Sequence, residues 1–543
     1  MEEKQTKIKF NIIAIVLIML FCFAITPKSL QNDTFYTIKL GEYVLDNGIT
    51  MVEPYAWHEG LEYTFPHWAY DVIIYLFFAV GGQTGVYIST VIFCMILGIV
   101  LYLTNVKLSN NRVVPFITTI GVLYMLQAYI AARAQLFTFI LFILTIYFIE
   151  RFLETKWKRY AIGLIIIPII LANVHVAVFP FYFVLYLPYI VEYMIYILSH
   201  TFIIINKARI ESIYKKIQNT EDKEEINKLK EQLTKLENSN QDRTKKRENA
   251  TKKAYKIIVK PSDNIKALII IMIICLFTGF FTPLGDVPYT YLVDTMMGDT
   301  TKSISEHKPL TLVEHIDFAC VLVIFIVILM FTDTKIKLRD LFMMAGLIAL
   351  SFYTRRQESM FAIICVFILN RLIIAWFNKY APNALKKLEQ KSVTVIGEVI
   401  LVAVIVLMSW YEYKPKTDDN YISKSSYPVQ AVEWIKENLD VENIRLYNEY
   451  NYGSYLLYQD IPVFIDSRAD LYAPEFNEGV TVFNDFLKIS GLNSSDMDGL
   501  LDKYDFTHFI MTKKAKLRVF MRQNEDKYKE IYEDDYFCIY EKI

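Results

Sequence analysis

The chain has 543 residues, 57 Lys and Arg against 58 Asp and Glu, and 54% hydrophobic side chains, with aromatics making up 15% of the whole. A net charge of −1 argues against a polyanion binder, so nucleic acid is not an expected partner. A mean hydropathy of +0.29, gathered into long uncharged runs, excludes a string of soluble domains and marks a membrane protein.

The start, Met1 to Lys9, is short and basic and leads into an apolar run from Ile8 to about Thr26. That run is near the length needed to cross a hydrocarbon core of about 30 Å, and no small-x-small cleavage site precedes Pro27, so it reads as a signal anchor. Further apolar runs fall near 84–104, 113–131, 135–150, 160–179, 181–205, 265–282, 316–332, 338–354, 359–377 and 394–411. An α-helical polytopic membrane protein of about 11–13 spans is therefore expected, with a small C-terminal α/β soluble domain. Lys and Arg gather in alternate loops, at Lys107/Arg112, Arg151–Arg159, 207–260, Lys335–Arg339 and Lys379–Lys391, which the positive-inside rule places in the cytoplasm with the N-terminus. The opposite loops, 27–83, Ala132–Gln135, Asn173–Pro180, 283–315, Tyr353–Glu358 and everything after Trp410, then face outside. This alternation holds only if the amphiphilic stretch Trp68–Val80 lies in the interface or re-enters, since a full crossing there inverts every later loop.

Four units follow: a membrane module 1–206 with its first outer loop at 27–67, a basic cytoplasmic helical insert 207–260, a second membrane module 261–411, and an extracytoplasmic α/β domain 412–543. In the insert Ile210, Ile213 and Ile217, then Ile226, Leu229, Leu233 and Leu236, recur at helical spacing, predicting one long helix or a helical hairpin. In the last unit, Pro428–Asn438 has the period of an amphipathic helix, Asn443–Tyr447, Pro462–Ile465 and Thr507–Thr512 read as strands, and Tyr528–Tyr532 with Tyr536–Tyr540 reads as a closing hairpin. Five of six cysteines lie in apolar runs, so no disulfide framework is expected.

Ionisable residues at the outer ends of spans are the informative ones, because a bilayer penalises each of them. The first outer loop interleaves Asp33, Glu42, Asp46, Glu53, His58, Glu59, Glu62 and His67 with Tyr36, Tyr43, Tyr55, Trp57, Tyr63 and Trp68, a mixture suited to a sugar: carboxylates take hydroxyl protons and rings stack on sugar faces. Asp33 precedes an amphipathic helix, Thr34–Asp46, and is either its cap or a general base. Arg133 is a lone outer cation, and Arg355 with Arg356 repeats the situation. Each is a candidate for a lipid phosphate, with an intramolecular ion pair to Glu358 or a first-loop acid as the structural alternative. His175 lies beside Asn173 at another outer helix end, either a ligand or a hydrogen-bonded structural residue. His307 and His315 flank a loop carrying Asp286, Asp294, Asp299, Glu306 and Glu314, which leaves a divalent metal open although no metal-binding spacing is present. After the apolar Phe464-Ile465, Asp466, Arg468 and Asp470 stand at a strand end, either as ligand-binding charges or with an Asp466–Arg468 pair fixing the turn. Nucleotide-binding, nucleophile-elbow and zinc-protease patterns are absent, which argues against nucleotide hydrolysis.

The first-loop string Asn32-Asp33-Thr34-Phe35-Tyr36 through Gly48, the aromatic stretches Glu53-Pro54-Tyr55-Ala56-Trp57 and Trp68-Ala69-Tyr70-Asp71, Arg133-Ala134-Gln135, Asn173-Val174-His175, Arg355-Arg356-Gln357 and the 452–468 region together resemble the GT-C class of polytopic glycosyltransferases. The resemblance implies transfer of a sugar from a polyprenyl-phosphate-linked donor on the outer face of the cell membrane. Asp33 is then the catalytic base, and Arg133, Arg355 and Arg356 are candidates for the lipid phosphate, with His175, Glu53 and Trp57 as further substrate-binding residues. The acceptor is left open, and no cofactor is certain. The sequence departs from the class in having Thr34-Phe35 after Asp33 in place of a second acid, and Phe65-Pro66-His67-Trp68 in place of a His-Pro-Pro string. The alternative is a non-catalytic transporter or envelope-assembly protein with an outer α/β binding domain.

Overall fold

The computed structural model describes residues 2–253, 256–298, 304–416 and 419–543. Six helices among these are long and apolar enough to cross a bilayer: Lys4–Ile25, Trp68–Ser109, Gln135–Thr155, Val176–Ile203, Arg355–Tyr380 and Val395–Lys416. Shorter apolar helices occupy Val113–Met125, Ile265–Phe280 and Ile316–Phe331, and Lys158–Val174 and Leu338–Tyr353 are also helical. Every apolar run of the sequence is thus a helix, the one open-chain solution that satisfies backbone groups in hydrocarbon. The protein is a multi-pass membrane protein.

Trp68–Ser109 is two helices joined at Gly82, whose φ of 58° and ψ of −145° lie outside the range of a residue bearing a Cβ. The rings of Phe77 and Phe93 are 6.2 Å apart, whereas a straight helix separates residues at that spacing by about 24 Å. The stretch Trp68–Gly81 therefore folds back on the span that follows, the bend that an interfacial or re-entrant segment requires.

At the opposite end of the bundle, four helices are tied by buried charges absent from the sequence reading. Arg339 binds Glu150 at 3.0 Å, Arg371 binds Asp340 at 2.7 Å and Glu150 at 3.5 Å, and Tyr189 donates to Glu150 at 2.8 Å. The charges sit inside the protein and each has a partner, the arrangement in which a bilayer tolerates them. Beyond this end, Leu187–Asn219 and Lys223–Lys253 form a helical hairpin, held by Tyr214 on Glu237 at 3.0 Å and the Asn240 amide on the Ile203 carbonyl at 3.4 Å. The chain returns through a short parallel pairing of β1 (Ile257–Ile258) with β2 (Ile336–Lys337).

The C-terminal unit has the helix Val429–Asn438 and a four-stranded sheet of β3 (Leu446–Tyr447), β4 (His508–Thr512), β5 (Tyr528–Glu533) and β6 (Phe537–Lys542), in the order β3-β4-β6-β5. The β3/β4 pair is parallel, and β4/β6 and β5/β6 are antiparallel, with a register shift between Glu530 and Tyr532. Residues 462–465 differ from the expectation of a sheet strand. Val463 forms a parallel bridge with Ala56 of the first outer loop, and the His58 Nε2 lies 2.8 Å from the Phe464 carbonyl. Their backbone groups are used to dock the loop on the domain.

That docking is secured by charge. Arg468 is held by Asp466, with Nε to Oδ1 at 2.9 Å, and forms a fully buried ion pair with Glu53. The Asn477 side chain brackets Glu62, accepting from its N–H at 2.7 Å and donating to its carbonyl at 3.0 Å. First loop and C-terminal domain form one continuous body against one end of the helix bundle.

Candidate functional site

The helix Asn32–Asn47 begins right after the first span, and its N-cap is Gln31, with no side-chain cap. Asp33 is accordingly free of capping duty: it stands in the first turn, where the helix dipole favours a carboxylate, and its Oδ2 lies 2.6 Å from Nη2 of Arg133. Arg133 projects from the bend between the 3-10 turn Gln127–Tyr129 and the helix Gln135–Thr155. Its other terminal nitrogen, Nη1, is 3.2 Å from Oε1 of Glu306, so one guanidinium bridges two acids from distant loops.

Burial opposes the charge on Arg133, but Asp33 and Glu306 outweigh it and raise its pKa. Burial likewise works against the Glu306 carboxylate, and Arg133 and Arg356 outweigh it, holding that group below the usual carboxylate value.

Arg356 sits on the 3-10 turn Arg355–Gln357, which the neighbouring loop pins: the Arg355 N–H donates to the Lys308 carbonyl at 2.9 Å and the Thr354 hydroxyl to the Glu306 carbonyl at 3.1 Å. Tyr129 reaches over from the Arg133 loop to donate to the Arg355 carbonyl at 2.9 Å. The guanidinium of Arg356 has Arg133, Glu306, Asp33 and Tyr291 as its electrostatic neighbours. Among the described residues it makes no ion pair and no side-chain hydrogen bond, leaving its donors available for an anion.

His175 forms part of the same wall. Its Nδ1 is 2.8 Å from the Thr138 hydroxyl, and Arg356, His67 and Arg133 lie near it. From the C-terminal side come Asp470, hydrogen-bonded by the Tyr291 phenol, and Tyr450, which senses Asp33, Asp470 and Arg133. Burial raises the Asp470 carboxyl, with Tyr291 and Arg356 pulling the other way. The phenols of Tyr36, Tyr291 and Tyr450 are all driven well above the ordinary tyrosine value, mainly by burial, so they stay protonated donors.

The structure thus brings Asp33, Arg133, Arg356 and His175 together and separates three others from them. Glu53 is consumed by Arg468 and by the Tyr55 and Ala56 N–H groups, at 2.7 and 3.0 Å. Trp57 packs on Phe464 and His58 and donates Nε1 to the Leu446 carbonyl at 3.3 Å. Both hold the first loop onto the domain, apart from the Asp33–Arg133 contact. Arg355 enters the scaffold through its backbone. Among the described residues no group of three or more His, Cys, Asp or Glu is arranged to hold a metal ion, and Asp299 lies outside the described residues. His315 pairs with Glu358 at 2.6 Å, apart from His307. In the sequence Tyr36 and His67 belong to the sugar-suited first loop, Glu306 to the loop left open to a metal and Asp470 to the strand-end charges, whereas Tyr291 and Tyr450 carry no assigned role. The spacing of His67 and Asp71 on one helical face was the one local signal available.

A bundle of membrane helices joined to a small α/β domain, with an acid and two arginines where they meet, forms a GT-C-like fold. The structure is similar to that of the archaeal oligosaccharyltransferase AglB from Archaeoglobus fulgidus, solved in complex with an inhibitory peptide and a dolichol-phosphate. The TM-score is 0.51 at 10% sequence identity, covering 92% of this chain and 69% of the other; the likeness is one of fold. No protein-family model matches the chain, and no curated protein matches it by sequence.

Proposed function

We propose that the protein is a membrane glycosyltransferase that moves a sugar from a polyprenyl-phosphate-linked donor to an acceptor hydroxyl on the outer face of the membrane. The observation that carries this reading is the convergence of Asp33, Arg133 and Arg356, from three separate segments, in one cluster within an oligosaccharyltransferase-like fold. Asp33 acts as general base for the acceptor hydroxyl. The two guanidiniums take the phosphate oxygens, stabilising the charge that develops as the bond from C1 of the sugar to the phosphate breaks. The donor phosphate competes with Asp33 and Glu306 for Arg133, so donor binding itself releases the Asp33 carboxylate to face the acceptor.

The test uses the full-length protein in lipid nanodiscs with a panel of polyprenyl-phosphate sugars. Asp33→Asn is expected to lower release of polyprenyl phosphate by about 10²-fold or more while lipid binding persists. Unchanged release in Asp33→Asn would remove the carboxylate from the mechanism.

A further inference from the structure

The proposed transfer leaves a proton on Asp33, and beside Asp33 the structure holds three polar side chains that the transfer itself does not use. One turn along the same helix, the phenol of Tyr36 lies 3.2 Å from Nε2 of His67, and the two rings are stacked with centroids 5.6 Å apart. On the far side of the imidazole, Nδ1 of His67 is 2.8 and 2.9 Å from the two oxygens of Asp71. The Asp71 side chain is fully buried and that of His67 is 14% exposed.

Two constraints orient this chain. A carboxylate only accepts, so Asp71 places the imidazole proton on Nδ1 and leaves the Nε2 lone pair facing Tyr36. Burial together with Asp33 keeps the phenol protonated, so Tyr36 donates to Nε2 of His67, and its place three residues after Asp33 puts the two on one face of the helix. The arrangement is packed into place at Gly41: a Cβ there would lie 2.2 Å from the Asp71 carbonyl oxygen and 2.7 Å from the Tyr75 Cβ. No larger residue lets helix Asn32–Asn47 approach the start of Trp68–Gly81 this closely.

We propose that Tyr36, His67 and Asp71 form a proton relay that carries the acceptor proton away from Asp33, an inference that rests on the transferase reading above. In the transfer step the acceptor oxygen bonds to C1 of the sugar, the C1–oxygen bond to the phosphate breaks with its electron pair leaving on the phosphate, and the hydroxyl proton goes to Asp33. Asp33 then passes a proton to the Tyr36 oxygen as the phenol proton moves to Nε2 of His67. The imidazolium so formed is paired with Asp71, and Asp33, a carboxylate again, regains Arg133. Tyr36 is the residue that meets the reacting groups, and His67 and Asp71 act through it as positioning residues. The charged and titratable groups around His67 are Tyr36 on the first-loop helix, Asp71 on its own helix, His175 from the bundle and Asp470 from the C-terminal domain, with Asp33 and Arg133 beyond Tyr36.

Two measurements on the full-length protein in nanodiscs test this. Nitrogen-15 NMR of histidine-labelled protein, with His67→Gln used to assign its signal, is expected to show His67 protonated at Nδ1, with an Nε2 shift that moves in Tyr36→Phe. A His67 protonated at Nε2 alone, or an Nε2 signal indifferent to Tyr36→Phe, overturns the relay whatever the enzyme's activity. With the same panel of polyprenyl-phosphate sugars, Tyr36→Phe keeps the ring and its packing and is expected to lower kcat about 10²-fold at unchanged donor KM. An unaltered kcat in an active preparation overturns the relay alone, while a wild type that turns over no member of the panel counts against the transferase reading and the relay together.

Discussion

Asp33 and Arg356 are placed by the backbone before any ligand arrives. Asp33 is fixed in a helical first turn that Gln31 begins, and Arg356 on a one-turn 3-10 segment pinned from both sides. A guanidinium held this way loses little freedom on binding a phosphate, and hydrogen bonds to charged groups contribute about 1.5–3 kcal/mol each. Arg356→Gln is therefore expected to weaken polyprenyl-phosphate binding by roughly 10- to 100-fold, measured as quenching of a fluorescent polyprenyl phosphate in nanodiscs, with thermal stability preserved. Glu306→Gln is expected to act in the opposite sense, strengthening binding of the same probe several-fold. It removes one of the two acids that neutralise Arg133 and compete with the incoming phosphate.

The loop 27–67 is the element that joins the membrane helices to the C-terminal domain, and it does so through groups that sequence alone offers to a ligand. Glu53 and Arg468 form an ion pair with side chains 0% and 2% exposed. Removing one partner of such a pair costs about 3–5 kcal/mol, because the other charge is left buried and alone. Glu53→Ala is expected to lower the melting temperature of the full-length protein and to open the loop to limited proteolysis between residues 48 and 62. His58 gives the same interface a pH dependence. Burial, against a hydrogen bond to the Phe464 carbonyl, pushes its pKa down from 6.5 to about 4. Above 6.5 the ring is neutral in both docked and undocked states. As pH falls below 6.5 the undocked loop takes up a proton that the docked loop refuses until about 4, so docking weakens across that window. Protease protection of the loop is expected to decline between pH 7 and 5, and less steeply in His58→Gln.

For the whole molecule, what was legible in the sequence was what solvent and lipid dictate. Hydropathy located the long apolar helices, helical spacing of Ile and Leu predicted a long helix or a hairpin where the structure has a hairpin, and the change of composition after Trp410 marked the α/β unit. The site was legible only where a residue's locality was odd in itself: Asp33 at an interface, Arg133 and Arg356 as cations at outer helix ends. Partnership between distant residues was not legible. Nothing near Asp470, Glu306 or Tyr450 announces that the fold brings them to Asp33, and the acid-and-aromatic composition of the first loop fits a sugar pocket and a docking interface equally well. The same limit hid the buried charges of Glu150, Arg339, Asp340 and Arg371, which break an otherwise apolar pattern without disclosing their pairing.

Transfer at this cluster requires that one site serve both the lipid phosphate and the carboxylate. The direct measurement is a density map of the full-length protein in lipid nanodiscs with a polyprenyl phosphate added. Phosphate density is expected within hydrogen-bonding distance of Arg133 and Arg356, with Asp33 turned toward the same space and the Asp33–Arg133 contact lengthened from its 2.6 Å. Phosphate bound elsewhere, with Arg133 still bridging Asp33 and Glu306, would contradict transfer here and leave the cluster as a structural clasp between the membrane bundle and the C-terminal domain.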